Sequence, residues 1–211
     1  QGYSSAVSDV YKRQVLNPST EEVISLMPDG TVEDARKAID AAEKAQNQWE
    51  RTPSIERAAY LTKIAAGIRK REKELTDIIV REGGKTQGLA NVEVLFTADY
   101  MDYMAGWARR YEGEIIPSDR PHESIFLFKR PIGVTTGILP WNFPFFLVAR
   151  KAAPALITGN TIVIKPSQLT PENAYVFAQI VEEAGLPAGV FNLVNGRGLS
   201  LIHISEPTRL Q

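Results

Sequence analysis

Gly137-Ile138-Leu139-Pro140-Trp141-Asn142-Phe143-Pro144 and, further on, Thr161-Ile162-Val163-Ile164-Lys165-Pro166-Ser167 decide the fold of this chain. Val134 to Leu139 is a short apolar run between Gly133 and Pro140, which predicts a strand. Phe145 to Leu156 has helical spacing and is closed by Thr158-Gly159-Asn160. Thr161 to Lys165 predicts a second strand. Pro171 to Ala184 predicts a second helix, with Thr170 as cap and Pro171 at its first position. After the Gly185-Leu186-Pro187 turn, Phe191 to Val194 predicts a third strand. Strands alternating with helices imply an α/β fold with a parallel, Rossmann-like sheet and right-handed crossovers. Ligands of such sheets bind beyond the carboxyl ends of the strands, so the residues after each strand are the candidates.

Each strand end has two readings. Asn142 offers an amide donor that stays neutral at every pH, which suits an oxyanion hole. Asparagine also caps helices well, and spacing alone favours the cap. Lys165 can bond ribose hydroxyls or a phosphate, although pattern alone favours a solvated lysine. Gly196 and Gly198 can let backbone amides approach a pyrophosphate, but a lone G-x-G is weak evidence. Arg150 and Lys151 are neighbours on the predicted helix, so at most one faces the crevice.

Upstream, Asn17-Pro18-Ser19-Thr20 is a turn, and Glu22 to Met27 a strand closed by Pro28-Asp29-Gly30. Thr31 caps a helix with Asp34 three residues on; Val32, Ala35, Ile39, Ala42 and Trp49 form its stripe. Pro53 ends it. Ser54 caps the next helix, which carries Ile55, Ala58, Leu61, Ala65 and Ile68. A third holds Leu75, Ile78 and Ile79 and stops at Gly83-Gly84. A fourth, from about Leu89 to Tyr111, carries Phe96, Tyr100, Tyr103 and Trp107, an aromatic stripe expected to pack in the core. Glu114 to Pro117 and Ser124 to Pro131 predict a ribbon. Two apolar strands are barely stable alone, so this one should find partner strands elsewhere in a longer chain or in another subunit.

The chain has 211 residues, 44% of them hydrophobic, and a net charge of -1. That balance argues for neither nucleic acid nor an anionic membrane. No apolar run is long enough to span a bilayer, and Lys12-Arg13 is not followed by a signal-peptide core; the default compartment is the cytoplasm. Cysteine is absent, which excludes disulfides, thiolate metal sites and a cysteine nucleophile within these residues. His122 and His203 have no metal-ligand spacing, so no metal is expected. The two ends are related in an unusual way. A DNA that encodes Asp9 to Gln14 has a reverse complement that encodes Leu199 to Ile204. Residues 1–14 and 199–211 thus resemble translated flanks of a sequencing adaptor, which leaves 15–198 for fold reasoning.

Together these strand ends resemble the aldehyde dehydrogenase superfamily. The likeness runs through the quoted motif, then Pro154-Ala155-Leu156, Gly159-Asn160-Thr161 and Lys165-Pro166-Ser167, to Gly185-Leu186-Pro187 and Gly189-Val190-Phe191-Asn192. Glu33 to Asp40, Phe96 to Tyr100 and Trp107 to Glu114 most resemble the bacterial lactaldehyde/glycolaldehyde dehydrogenases. The resemblance implies the N-terminal part of that fold: a helical part of the cofactor-binding domain (15–112), an oligomerisation ribbon (113–132) and a parallel βαβαβ part (133–198). It implies NAD or NADP as cofactor, a small aldehyde as substrate and a homodimer or homotetramer. Asn142 would stabilise the oxyanion formed when a cysteine thiolate attacks the aldehyde, and Lys151 would assist proton traffic. Ile138, Leu139, Pro140 and Trp141 would line the nicotinamide-ribose and phosphate path. Lys165, Ser167, Gln168 and Gly198 would complete the cofactor site, and Phe143 and Arg150 would wall the substrate tunnel. Two residues depart from many relatives. Gln168 replaces a glutamate that repels a 2′-phosphate, which predicts weakened discrimination against NADP. Arg150 stands where many relatives carry an apolar or aromatic residue, which predicts small hydroxylated or anionic aldehydes. A semialdehyde or betaine-aldehyde dehydrogenase, and a non-catalytic nucleotide-binding or interaction module, stay open as alternatives. By itself the chain is expected to be inactive, because it has no cysteine, and poorly soluble.

Overall fold

The computed structural model describes residues 12–196. β1 (Lys12–Leu16) and β2 (Val23–Pro28) form an antiparallel hairpin around the expected turn at Asn17. α1 (Val32–Arg51) opens with the expected capping box. The Thr31 hydroxyl accepts from the Asp34 amide, and the Asp34 carboxylate accepts from the Thr31 amide at 2.8 Å. α2 (Ser54–Lys70) and α3 (Glu72–Gly83) follow, the latter ending on Gly84 at φ 65°, a left-handed position that favours glycine. α4 (Gln87–Ala105) runs into a 3-10 turn over Gly106–Arg109. β3 (Glu114–Pro117) pairs antiparallel with β4 (Ser124–Leu127), a shorter strand than the expected Ser124 to Pro131.

β5 (Val134–Ile138), α5 (Pro144–Ile157), β6 (Thr161–Lys165), α6 (Glu172–Glu183) and β7 (Phe191–Leu193) then alternate as expected. The sheet is parallel, in the order β5-β6-β7. β6 is central and buried throughout, so both of its faces are covered. Strand alternation divides its residues. Ile162 and Ile164 join the main core with Phe145, Leu156, Phe177 and Phe191, whereas Val163 packs with Ala35 and Ala42 of α1. The main core continues into the helical layer through Leu61, Ile64, Ile68, Leu75, Ile79 and Met101, all fully buried.

Two caps depart from expectation. The Ser54 hydroxyl does not cap α2; it donates to the Ala108 carbonyl at 2.7 Å, and Pro53 occupies the cap position. Thr170 does not cap α6, because Pro171 takes the cap position and a glutamate from α3 takes the free amides. The ribbon is exposed on every residue of both strands, with Ile115 75% and Phe126 57% exposed and Phe128 beyond it stacked on Phe126.

Arg57 of α2 is buried at the junction of the layers. Its Nε donates to the Ile157 carbonyl at the end of α5 (3.0 Å), and its Nη1 to the Glu50 and Thr52 carbonyls at the end of α1. Its Nη2 donates to the Tyr111 hydroxyl at 2.6 Å. A buried cation is tolerable here because its donors face the acceptor-rich ends of two helices. Arg57→Ala should lower the stability of the folded chain by about 3 kcal/mol or more, since it strands several buried carbonyls. Chemical denaturation followed by circular dichroism checks this, and a loss below ~1 kcal/mol would show that water satisfies those carbonyls instead.

Candidate functional site

The parallel register sets the three strand ends side by side. Ile138 pairs with Lys165, and Ile164 with Leu193. Ile138 and Lys165 share the sheet face on which α1 lies, by the same alternation that points Val134 and Val163 at α1. Gly137 points the other way. A Cβ there would meet Ile164 Cδ1 at 2.7 Å and Lys151 Cβ at 3.3 Å, so the glycine lets α5 lie close against β5.

Lys165 is buried rather than solvated. Its ammonium donates to the Pro166 carbonyl at 2.8 Å, which leaves donor capacity to spare on a three-proton group. Burial lowers its pKa from the ordinary lysine value, and repulsion from Arg13 adds to the effect. Ser167 is buried, and its hydroxyl accepts from the Leu169 amide at 3.2 Å. Gln168 is exposed, and its amide oxygen accepts from Arg13 at 2.7 Å. Trp141, Gln168 and Thr170 line one cleft together with Pro18 and Leu16. Thr170 Oγ1 and Asn195 Oδ1, beyond β6 and β7, are buried without a hydrogen-bond partner among the described residues. A spare ammonium donor and unpaired hydroxyl and amide groups fit a ligand rich in hydroxyls and anionic oxygens. Ile138, Pro140 and Trp141 are exposed along this edge. The Leu139 side chain is in the core, so only its backbone can face a ligand. Gly198 and His203 lie outside the described residues.

Asn142 is exposed between β5 and α5 and does not cap the helix. The amides at the start of α5 are taken by Glu93 of α4, whose Oε1 accepts from Phe145 at 3.0 Å and Phe146 at 3.1 Å. Glu93 Oε2 is paired with Lys85, and the Lys85 ammonium sits 3.8 Å from the centroid of the Phe143 ring. The capping role that competed for Asn142 is therefore filled by Glu93.

Arg150 and Lys151 are both exposed, and they face different neighbours. Lys151 lies against β5 at Gly137, whereas Arg150 is close enough to Tyr100 to oppose the rise that burial imposes on the Tyr100 pKa. The aromatic stripe of α4 is divided: Tyr100 and Trp107 pack against the main core, whereas Phe96 and Tyr103 lie outside it. Phe96 is 53% and Tyr103 55% exposed. Phe96 and Tyr100 meet Phe146 at 4.7 and 5.5 Å, and Tyr103 meets Trp107 at 6.4 Å. The residues that fill the core between helices are instead Val94, Ala98 and Met101. An exposed aromatic wall with Arg150 at its edge was not expected from the sequence. The signal lay in the period: Ala90, Val94, Ala98 and Met101 form a second apolar stripe on the same helix.

A second buried glutamate serves α6. Glu82 accepts from the Glu172 amide at 2.8 Å and the Asn173 amide at 3.1 Å, and from the Asn173 side chain. Among the described residues there is no cluster of potential metal ligands, and no helix is long and apolar enough to cross a membrane.

Comparison with known proteins agrees with this geometry. The aldehyde dehydrogenase family model matches residues 6–203. Escherichia coli lactaldehyde dehydrogenase is 73% identical over 184 residues, 87% of this chain and 38% of that protein. A D-glyceraldehyde dehydrogenase (NADP+) from Thermoplasma acidophilum is 42% identical over 86% of this chain and 37% of its own length. The crystal structure of the E. coli lactaldehyde dehydrogenase superposes with a TM-score of 0.89 at 70% identity, over 90% of this chain and 40% of that one. The chain thus spans about two fifths of the length of the relatives it matches.

Burial pushes the Glu82 carboxyl up to about 7, against the pull of the Asn173 and Glu172 donors. With the folded value raised, the fold prefers the protonated acid. That contribution is complete below the unfolded value of 4.5 and is lost as pH rises through about 7. The loss is on the order of 3 kcal/mol at most. Denaturant midpoints from acid to neutral pH should therefore fall more steeply for the parent than for Glu82→Gln; parallel profiles would contradict the assignment.

Proposed function

The chain belongs to the aldehyde dehydrogenase family, and on that premise we propose that it is the cofactor-binding and oxyanion-donating part of an enzyme that oxidises a small hydroxylated aldehyde to its acid. The observation that carries the proposal is Asn142. It stands exposed beyond a parallel strand and is relieved of capping by Glu93.

In this reading the Asn142 amide donates to the carbonyl oxygen as it gains negative charge, a term worth on the order of 10²–10³ in rate for one donor. The chain has no cysteine, so the attacking thiolate, and the glutamate that activates water, are proposed to come from the enzyme outside these residues. NAD or NADP supplies the hydride acceptor when bound. Lys165 is proposed to hold ribose hydroxyls with its spare donors, and the Ser167–Gln168 turn to close over them. Ile138, Pro140, Trp141 and the Leu139 backbone line the path toward the reacting centre, and Gly198 is proposed to meet the phosphates. Gln168 hydrogen-bonds without the charge of a carboxylate, so it tolerates a 2′-phosphate. Lys151, against β5, is proposed to pass protons beside the active site. Phe143 and Arg150 form the substrate wall, and the guanidinium selects hydroxyl or anionic groups on the aldehyde. The exposed β3–β4 ribbon is proposed to join strands of a partner subunit in a homodimer or homotetramer, since unpaired apolar strands favour such addition. Residence in the cytoplasm is proposed with it.

Steady-state kinetics of the full-length enzyme tests this. Lactaldehyde should be preferred over a plain alkanal of the same size and over betaine aldehyde, whose cation Arg150 repels. Arg150→Leu should cut the preference over the alkanal by about tenfold, and Gln168→Glu should raise the NAD:NADP ratio of kcat/KM. A preference for betaine aldehyde, or no aldehyde oxidation at all, contradicts the proposal; the latter favours a non-catalytic binding module.

A further inference from the structure

We infer that Lys85 and Glu93 are positioning residues for the Asn142–Phe143 loop, acting together from the helical layer; this rests on the role proposed for Asn142. The loop between β5 and α5 has few restraints of its own. Phe143 occupies the cap position of α5 without a side-chain cap bond, and the residue is 40% exposed. What holds the loop from beneath belongs to another part of the chain. Glu93 is fully buried and Lys85 nearly so, with side chains 0% and 12% exposed. The two carboxylate oxygens divide the work. Oε1 takes both free amides at the start of α5 and so fixes where the helix begins. Oε2 takes the Lys85 ammonium, which lies against the Phe143 ring. The loop is thereby gripped at two points, one backbone and one aromatic, immediately after Asn142.

The grip depends on charge. The partial positive charge of the helix start and the ammonium both face the carboxylate, and the ammonium in turn faces the electron-rich ring. Neutralising either partner leaves the other ionised and buried, and the loop must move to let water in. An oxyanion donor misplaced by about 1 Å can cost on the order of a hundredfold in rate. The cofactor contacts proposed for Lys165 and Gln168 lie beyond β6, outside the pair's reach, so ground-state binding of the cofactor should change less than turnover.

The pair makes a distinct prediction in the full-length enzyme. Glu93→Gln keeps an acceptor for the Phe145 and Phe146 amides but removes the charge. Lys85→Met leaves the helix amides capped and removes only the ammonium. Each should lower kcat for the aldehyde about tenfold or more while leaving the KM for the cofactor within about twofold. Lys85→Arg should restore most of the loss. Crystal structures of parent and variants supply a second readout independent of turnover: the Asn142 amide should be displaced in Glu93→Gln and Lys85→Met and return in Lys85→Arg. A kcat within twofold of the parent in both variants overturns the inference. So does a loss of rate that merely follows the fraction of folded enzyme, or an Asn142 amide that stays in place in both variants. If the parent oxidises no aldehyde, the functional proposal fails, and the displacement of Asn142 alone decides the positioning role.

Discussion

Buried charges at helix ends hold the two layers of this molecule together. Each helix leaves amides unpaired at its start and carbonyls unpaired at its finish. In a compact α/β domain those ends are buried with the strand ends beside them. Here the helical layer supplies groups of matching polarity: the Glu93 carboxylate at the start of α5, the buried Glu82 carboxyl at the start of α6, and the Arg57 guanidinium at the finish of α5 and α1. The cost of burying each group is offset because every group meets several fixed dipoles of opposite sign. Apolar contact between α2, α4 and α5 supplies attraction without direction, whereas these groups fix register and angle.

The consequence for function runs through α5. That helix is pinned at both ends, by Glu93 at Phe145 and Phe146 and by Arg57 at Ile157. Asn142 lies just before it, Arg150 and Lys151 lie on it, and Gly137 lets it approach β5. The oxyanion donor proposed at Asn142 would need a mount that does not shift as charge develops. A helix anchored to a second layer by ions is such a mount. The pair at its start does one thing more: because Glu93 satisfies the helix amides, Asn142 is not needed as a cap and is free for the role proposed for it.

Local chemistry was legible in the sequence and distant chemistry was not. Thr31 with Asp34, the Gly84 stop and the three parallel strands follow from spacing within a few residues, and all are present. The caps read at Asn142 and Thr170 failed for one reason. The true partner of α6 lies 90 residues away in Glu82, and that of α5 lies 52 residues away in Glu93, beyond any local pattern. Lys165 shows the same limit. A lysine after a strand reads as solvated until β5 and β7 are known to flank it and bury it. The α4 stripe misled because two apolar faces share one helix, and the smaller residues Ala90, Val94 and Ala98 took the core and left Phe96 and Tyr103 outside. The family motif around Asn142 reached further than these local patterns for the fold, because it is shared with relatives of the same architecture.

Amide hydrogen exchange at Phe145 and Phe146 tests the central claim most directly. If Glu93 pins the start of α5, these two amides, which would fray freely at an uncapped helix start, exchange only through large-scale opening and are as protected as the interior of the helix. Rapid exchange at both, with the middle of α5 still protected, would contradict the account.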